Sequence, residues 1–283
     1  MKTGYQGIDG AFSSIAARKL SPKSAEYIGF PDFFGVFRAL EENLLDNIVI
    51  PLENSTAGRV ADPHRLIAKH DVHFHAEYIL KVEHNLVVKP GTKLEDIHEI
   101  HSHEQAIMQC ERKIKQIFEK INPSVRLVKM EDTAISAKNT SLQQGNSIAG
   151  IASLRAAEIY NLDILIPKVQ DVDENFTSFV LISKIPNKQA GISGISYITS
   201  MIFEVGNQPG SLVIALNALY KNRIDITKIE SYIPGIKSNK AQFFLSCMGH
   251  CDDLAMKNAL NEIKSVCNWI KIFGSYPADL KRL

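Results

Sequence analysis

Two polar clusters in the 283-residue sequence carry side chains suited to gripping a small ligand and moving a proton. In Ile50-Pro51-Leu52-Glu53-Asn54-Ser55-Thr56-Ala57-Gly58-Arg59-Val60 an apolar run passes straight into Glu53, Asn54, Ser55 and Thr56. A strand ending this way sets several hydrogen-bonding groups at the carboxyl edge of a sheet, where open α/β sheets bind ligands. A turn whose polar side chains bond locally would have the same composition. In Asp173-Glu174-Asn175-Phe176-Thr177-Ser178-Phe179-Val180 a hydroxyl pair lies between two phenylalanines. Strand alternation puts Thr177 and Phe179 on one face and Phe176, Ser178 and Val180 on the other, and a plain half-buried strand would read alike.

A third segment, Gly4-Tyr5-Gln6-Gly7-Ile8-Asp9-Gly10, spaces its glycines three apart, unlike a dinucleotide-binding fingerprint. It leads into a helix near Phe12-Ser13-Ser14 whose backbone N–H groups could face an anion; an ordinary strand-to-helix turn fits it equally. Ser102-His103-Glu104-Gln105 fits a capping box and sets His103 beside a cleft. Eight of the nine histidines fall between His64 and His103. His73/His75 and His101/His103 would each share a strand face, yet no carboxylate or cysteine stands at usable spacing and HExxH is missing. The expectation is no metal and no cofactor.

The elements that must position these groups follow from periodicity. Up to about residue 184, short apolar runs alternate with helical stretches. Asp32 caps a helix carrying Phe33, Val36, Phe37, Leu40 and Leu44, and Ile107, Cys110, Ile114 and Ile117 line another. Such alternation predicts an α/β fold with a largely parallel sheet. Lys184 to Ser196, rich in Gly, Pro and Ser, reads as a linker. Beyond it, Tyr197–Val205, Pro209–Lys221, Ile226–Ile233, Gln242–Met248, a helix capped by Asp252, and Trp269–Phe273 give a βαββαβ, ferredoxin-like order, with a turn at 234–239.

With 32 basic and 31 acidic residues, the net charge of +1 gives no electrostatic footprint for nucleic acid. No apolar run approaches the length of a membrane span, and the start lacks a signal-peptide core. Four scattered cysteines without a CxxC pair suit reduced thiols. The expectation is a cytoplasmic protein with no nucleic-acid or membrane partner.

Taken in order, these segments resemble the prephenate dehydratase family of the type with a C-terminal ACT regulatory domain. Gly4-Tyr5-Gln6-Gly7 through Phe12-Ser13 is similar to its opening glycine-rich stretch, and Pro51-Leu52-Glu53-Asn54-Ser55 with Gly58 and Val60 to its P-(I/L)-E-N-S-x-x-G-x-V block. Ser102-His103-Glu104-Gln105-Ala106 resembles S-H-P-Q-A, with Glu104 for the proline. Thr177-Ser178-Phe179 stands where the family has Thr-Arg-Phe. Gly206-Asn207-Gln208-Pro209-Gly210-Ser211-Leu212-Val213 and Glu230-Ser231 resemble the two ACT segments that bind phenylalanine.

The resemblance implies an α/β catalytic domain at 1–184 with two periplasmic-binding-protein-like lobes, about 1–77 with 162–184, and 78–161. A linker at 185–196, an ACT domain at 197–275 and a tail at 276–283 would follow. Prephenate would lose hydroxide and carbon dioxide to give phenylpyruvate for phenylalanine synthesis. Thr177 would bond the leaving hydroxyl, Glu53, Asn54 and Ser55 would orient substrate, and Tyr5, Gln6, Ser13, Ser102, His103, Ser178 and Phe179 would complete the pocket. L-Phenylalanine would act as allosteric inhibitor through Asn207, Pro209, Gly210, Ser211, Leu212, Val213, Glu230 and Ser231 in a homodimer or homotetramer. Arogenate as substrate, or a silent amino-acid or keto-acid sensor suggested by Ser178, are the alternatives.

Overall fold

The computed structural model describes residues 1–187, 190–206, 208–232 and 240–282, Tyr232 by its backbone alone. Asn207 and the turn at 234–239 lie outside the described residues. In chain order the elements are β1 (Lys2–Gln6), α1 (Phe12–Leu20), β2 (Glu26–Phe30), α2 (Phe33–Glu41), β3 (Asn47–Asn54), β4 (Gly58–Arg59), α3 (Ala61–Lys69), β5 (His73–Lys81) and β6 (Asn85–Val88). Next come β7 (Glu99–His103), α4 (Glu104–Phe118), β8 (Arg126–Met130), α5 (Thr133–Leu142), β9 (Ile148–Ala152), α6 (Leu154–Ile159), β10 (Asp163–Ile166) and β11 (Phe176–Ser183). The last are β12 (Tyr197–Val205), α7 (Ser211–Lys221), β13 (Ile226–Tyr232), β14 (Ala241–Met248), α8 (Leu254–Val266) and β15 (Cys267–Pro277).

The chain divides into two units, Met1–Leu66 with Tyr78–Phe179, and Ile67–Glu77 with Val180–Leu283. One sheet has the order β2-β1-β3-β11-β5, with β4 on β3; a second has β10-β6-β9-β7-β8. In the first sheet β1 runs parallel to β2 and β3, with the short β4 antiparallel to β3; the second is mixed rather than largely parallel, β7 running parallel to β8 and β9 but β6 antiparallel to β9 and β10. In the first unit α4 buries Ala106, Cys110, Ile114 and Phe118 against Leu86, Val88, Ile100 and Ile151. Small residues close the other side, where Ala134, Ala137, Ala156 and Ala157 pack with Ala11 and Val87. Gly10, at φ +97, is part of this fit: a Cβ there would lie 2.9 Å from Ala156 Cα.

Three expected boundaries shift. β10 pairs with β6, so the return to the first sheet begins at β11 rather than at residue 162. The 67–77 segment belongs with the C-terminal unit, because the second face of that unit's sheet needs cover. Its first face packs Met201, Phe203, Val205 and Leu245 beneath α7 and α8. On the other face Phe74, fully buried, stacks on Phe273 at 5.1 Å and meets Tyr276 at 5.8 Å. The tail is no loose end: β15 runs to Pro277, Tyr276 donates or accepts with Ser200 at 2.8 Å, and Arg282 Nε donates to the buried Glu77 carboxylate at 3.0 Å. The start of the expected linker is likewise tied down, with His75 Nε2 at 3.0 Å from Ile185 O and Asn187 donating to Ser275 O at 3.1 Å.

The C-terminal unit keeps the expected βαββαβ order, its antiparallel sheet running β13-β14-β12-β15. Among the described residues no helix is long and apolar enough to cross a membrane, and the four cysteines are free thiols.

Candidate active site

Four helices begin at one cleft of about 350 Å³ in the first unit. Its wall includes Ala11, Phe12 and Ser13 at the start of α1, Asp32 and Phe33 at α2, His103, Gln105 and Ala106 at α4, and Asp132 and Thr133 at α5. Three of these ends are capped by their own sequence: Asp32 accepts from Gly35 N at 2.7 Å, His103 Nδ1 from Gln105 N at 3.2 Å, and Asp132 from Ala134 N at 2.5 Å. α1 has no side-chain cap, since Ala11 holds the cap position. The unpaired N–H groups of a helix start carry partial positive charge, so converging starts favour an anion. They matter here because among the described residues no lysine or arginine lines the cleft, whereas Asp32, Glu131 and Asp132 do. Burial holds the Asp132 carboxyl above its ordinary pKa. Gly7, at φ +99, leaves it room: a Cβ there would lie 2.5 Å from Asp132 Oδ2.

The cleft's floor is a network of amides at the ends of β3 and β11. Asn54 Oδ1 accepts backbone N–H donors from Thr56 at 3.1 Å and Ala57 at 2.9 Å. Backbone N–H groups can only donate, so the Asn54 amide has one possible orientation. Its Nδ2 therefore donates to Asn175 Oδ1 at 2.6 Å and Thr177 Oγ1 at 3.0 Å. Asn175 in turn presents Nδ2 to Gln109 Oε1 at 3.0 Å, and Gln109 Nε2 returns to Thr56 Oγ1 at 2.6 Å. His84 Nε2 meets the same Gln109 oxygen at 3.0 Å. Burial holds the His84 pKa down at about 4, so the ring is neutral at pH 7. The outcome for Thr177 is specific: Oγ1 accepts from Asn54, and its own O–H remains to donate toward the cleft.

The sequence-predicted residues divide into those that reach this cleft and those that build it. Gln6, Ser13, Asn54, His103, Thr177 and Phe179 line it. Tyr5, Glu53, Ser55, Ser102 and Ser178 do not line it. Ser55 fastens β3 to β11, donating to Glu174 O at 3.1 Å and accepting from Phe176 N at 2.9 Å. Ser102 is no helix cap; its hydroxyl donates to Ile151 O at 2.7 Å, and His103 caps α4 instead. Glu53 pairs in register with Arg59 of β4. Burial raises the Tyr5 phenol to about 12. Ser178 is 5% exposed on the face of β11 opposite Thr177, as the two-residue period requires. Sequence reasoning missed Gln109, Asn175 and His84 as members of the network. Gln109 follows Gln105 by one helical turn, the signal that could have found it.

Of the proposed effector residues, Pro209 to Val213 lie at the start of α7, with Gly210 at φ +87 in the cap position, and Glu230 and Ser231 lie on the edge strand β13. Among the described residues, one trio could hold a metal ion, His250, Cys251 and Asp252, and it includes neither of the histidine pairs flagged in the sequence.

A family model for prephenate dehydratase matches residues 3–187. The chain belongs to the prephenate dehydratase family. Its relatives include arogenate dehydratase/prephenate dehydratase 2 of Arabidopsis thaliana, 31% identical with 100% of this chain and 74% of the relative covered. The bifunctional chorismate mutase/prephenate dehydratase of Aquifex aeolicus is 32% identical, covering 99% of this chain and 74% of that one. Among solved structures, GqqA, described as a novel type of quorum quenching acylase, superposes with a TM-score of 0.88 at 30% identity over all of both chains. The prephenate dehydratase of Arthrobacter aurescens in complex with L-Phe also gives 0.88 at 22% identity, covering 100% of this chain and 91% of that one, a likeness of fold. Both alignments run through the βαββαβ unit, which the family model does not reach.

Proposed function

We propose that this chain converts prephenate to phenylpyruvate, and that its βαββαβ unit is an ACT domain through which phenylalanine lowers turnover. One observation carries the first part: Thr177, in a cleft of a prephenate dehydratase fold, has its hydroxyl oxygen held by Asn54 and its proton free. As the C4–O bond of prephenate lengthens, negative charge gathers on the departing oxygen, and Thr177 donates a hydrogen bond to it. A neutral hydroxyl is a weak acid, and the Asn54 N–H it accepts makes it a better donor. The electron pair of the C1–carboxylate bond enters the ring as carbon dioxide leaves, and aromatisation drives both cleavages. The protein has only to hold the dianion, polarise the leaving hydroxyl and exclude water. The α1 start, lacking a side-chain cap, would seat a carboxylate, and Phe179 would wall the ring. Ser178 faces away from the cleft, so its replacement of the family arginine leaves the Asn54–Thr177 pair intact.

The effector reading rests on Gly210, whose left-handed backbone opens α7 toward a ligand carboxylate, and on exposed Val213 and Tyr220 on the same helix, suited to a homodimer or homotetramer. Turnover of prephenate by the purified chain, with and without phenylalanine, tests both halves. Turnover that phenylalanine leaves unchanged would remove the regulatory half alone, and turnover of arogenate only would shift the substrate.

A second reading comes from the full-length likeness to GqqA and a neighbouring groove of about 720 Å³. The groove shares His103, Gln105 and Gln109 with the cleft and exposes Met108 and Val172, a surface suited to an apolar acyl chain. Release of fatty acid from an N-acyl amide would support this activity; no release from a chain that turns over prephenate would dismiss it.

A further inference from the structure

The amide network runs in one direction, and that direction leaves one atom without a partner. Asn54 is fixed by the Thr56 and Ala57 backbone N–H groups, Asn175 by Asn54, and Gln109 by Asn175, so Gln109 shows His84 an oxygen. His84 must meet that oxygen with Nε2–H, which makes Nδ1 a bare acceptor in the neutral ring. His84 is 3% exposed and borders the cleft, and among the described residues nothing donates to Nδ1. The ring cannot simply turn over to escape this. A half-turn would put a ring carbon where Nε2 meets Gln109 Oε1 at 3.0 Å, and the Phe12 ring stands at right angles to the imidazole with 5.4 Å between ring centres. A buried acceptor left unpaired costs stability, and the cost is recovered when a ligand brings a donor.

Only one group of the proposed substrate qualifies. At neutral pH prephenate has two ionised carboxylates and a keto oxygen, all acceptors, and a single O–H, on C4. That hydroxyl is the leaving group. We propose that His84 is a substrate-binding residue whose Nδ1 accepts the hydrogen of the C4 hydroxyl, a role that rests on the prephenate reading above. The hydroxyl would then lie between two directional partners, its hydrogen on His84 Nδ1 and a lone pair toward the Thr177 O–H. Neither bond alone fixes rotation about C4–O; together they fix the lone pair that must receive the Thr177 hydrogen bond. The product has lost the hydroxyl and makes neither bond.

Two near-isosteric variants separate this role from mere support of Gln109. In His84→Asn the amide oxygen occupies the region of Nδ1 and the link to Gln109 is lost. In His84→Gln the amide N–H occupies the region of Nε2, keeps the link to Gln109 and loses the acceptor. We expect His84→Gln to lower kcat/KM for prephenate about tenfold or more, the value of one hydrogen bond that orients the hydroxyl, and His84→Asn to keep more activity than His84→Gln. Affinity for phenylpyruvate, measured by calorimetry on the same proteins, should be unchanged. If His84→Gln is the more active variant, or if it loses phenylpyruvate affinity as much as activity, His84 only braces Gln109 and the proposal falls. An inactive wild-type chain would instead bring down the prephenate reading, and this proposal with it.

Discussion

Replacing Thr177 by valine isolates the hydroxyl from everything else the side chain does. Thr177 is 8% exposed and valine nearly matches its shape, so the packing around β11 should persist. The hydroxyl's structural value is small. Asn54 Nδ2 keeps Asn175 Oδ1 at 2.6 Å and Phe176 O at 3.3 Å, so no buried amide is left unpaired, and the stability loss should be about 1 kcal/mol. Its chemical value is larger: assistance to a leaving group by a positioned donor contributes about 10²–10⁴-fold, or roughly 3–5 kcal/mol of barrier. The expected Thr177→Val protein therefore has a nearly native urea midpoint and a kcat lowered by two orders of magnitude or more, while Thr177→Ser keeps much of the activity. Steady-state formation of phenylpyruvate and urea unfolding give the two numbers. A kcat within a few-fold of wild type would refute the role assigned to Thr177, and a fall in activity matched by unfolding would refute the separation of the two roles.

Asn54→Asp should lower kcat about as far as Thr177→Val, because a carboxylate in place of Nδ2 would draw the Thr177 proton to itself; the double variant should be no worse than the worse single one, as checked by a double-mutant cycle. The buried His84 contributes a pH dependence of stability with a definite sign. The unfolded chain takes up its proton as pH falls through about 6.5, the folded chain only near 4, so stability should drop across that window by up to about 3 kcal/mol and then level off. His84→Gln should lack this fall when urea unfolding is followed against pH, and an identical slope in both proteins would mean the ring is not held neutral by burial. Arg282→Ala takes the guanidinium from a carboxylate that is 2% exposed and also accepts from Asp279 N, and should cost about 3 kcal/mol in denaturant unfolding, whereas breaking an exposed pair such as Arg38–Glu42 should leave the unfolding midpoint nearly unchanged.

Much of the site was legible because its parts are local. Asp32 as a cap, β3 running into Asn54, and the placing of Thr177 and Phe179 together opposite Ser178 all follow from short-range periodicity, and the structure has them so. The βαββαβ order was legible for the same reason. What failed depends on contacts between distant residues. Asn54 and Asn175 are 121 positions apart, and Asn175 and Gln109 are 66 apart, so no pattern along the chain marks them as one network. Ser55 and Ser102 have the residue types of ligand-binding hydroxyls but spend them on backbone carbonyls, a choice made by tertiary neighbours. The C-terminal boundary differs because Trp269–Phe273 already looks like a complete strand, whereas Phe74, from the first third of the chain, packs against both Phe273 and Tyr276.

The most direct measurement follows prephenate, phenylpyruvate and carbon dioxide together, in one reaction started with the purified chain after treatment with a metal chelator. The account predicts that prephenate is consumed with one phenylpyruvate and one carbon dioxide formed for each molecule lost, at a rate that Thr177→Val nearly abolishes. Prephenate left intact by a folded chain would contradict it, as would loss of carbon dioxide without the aromatic product.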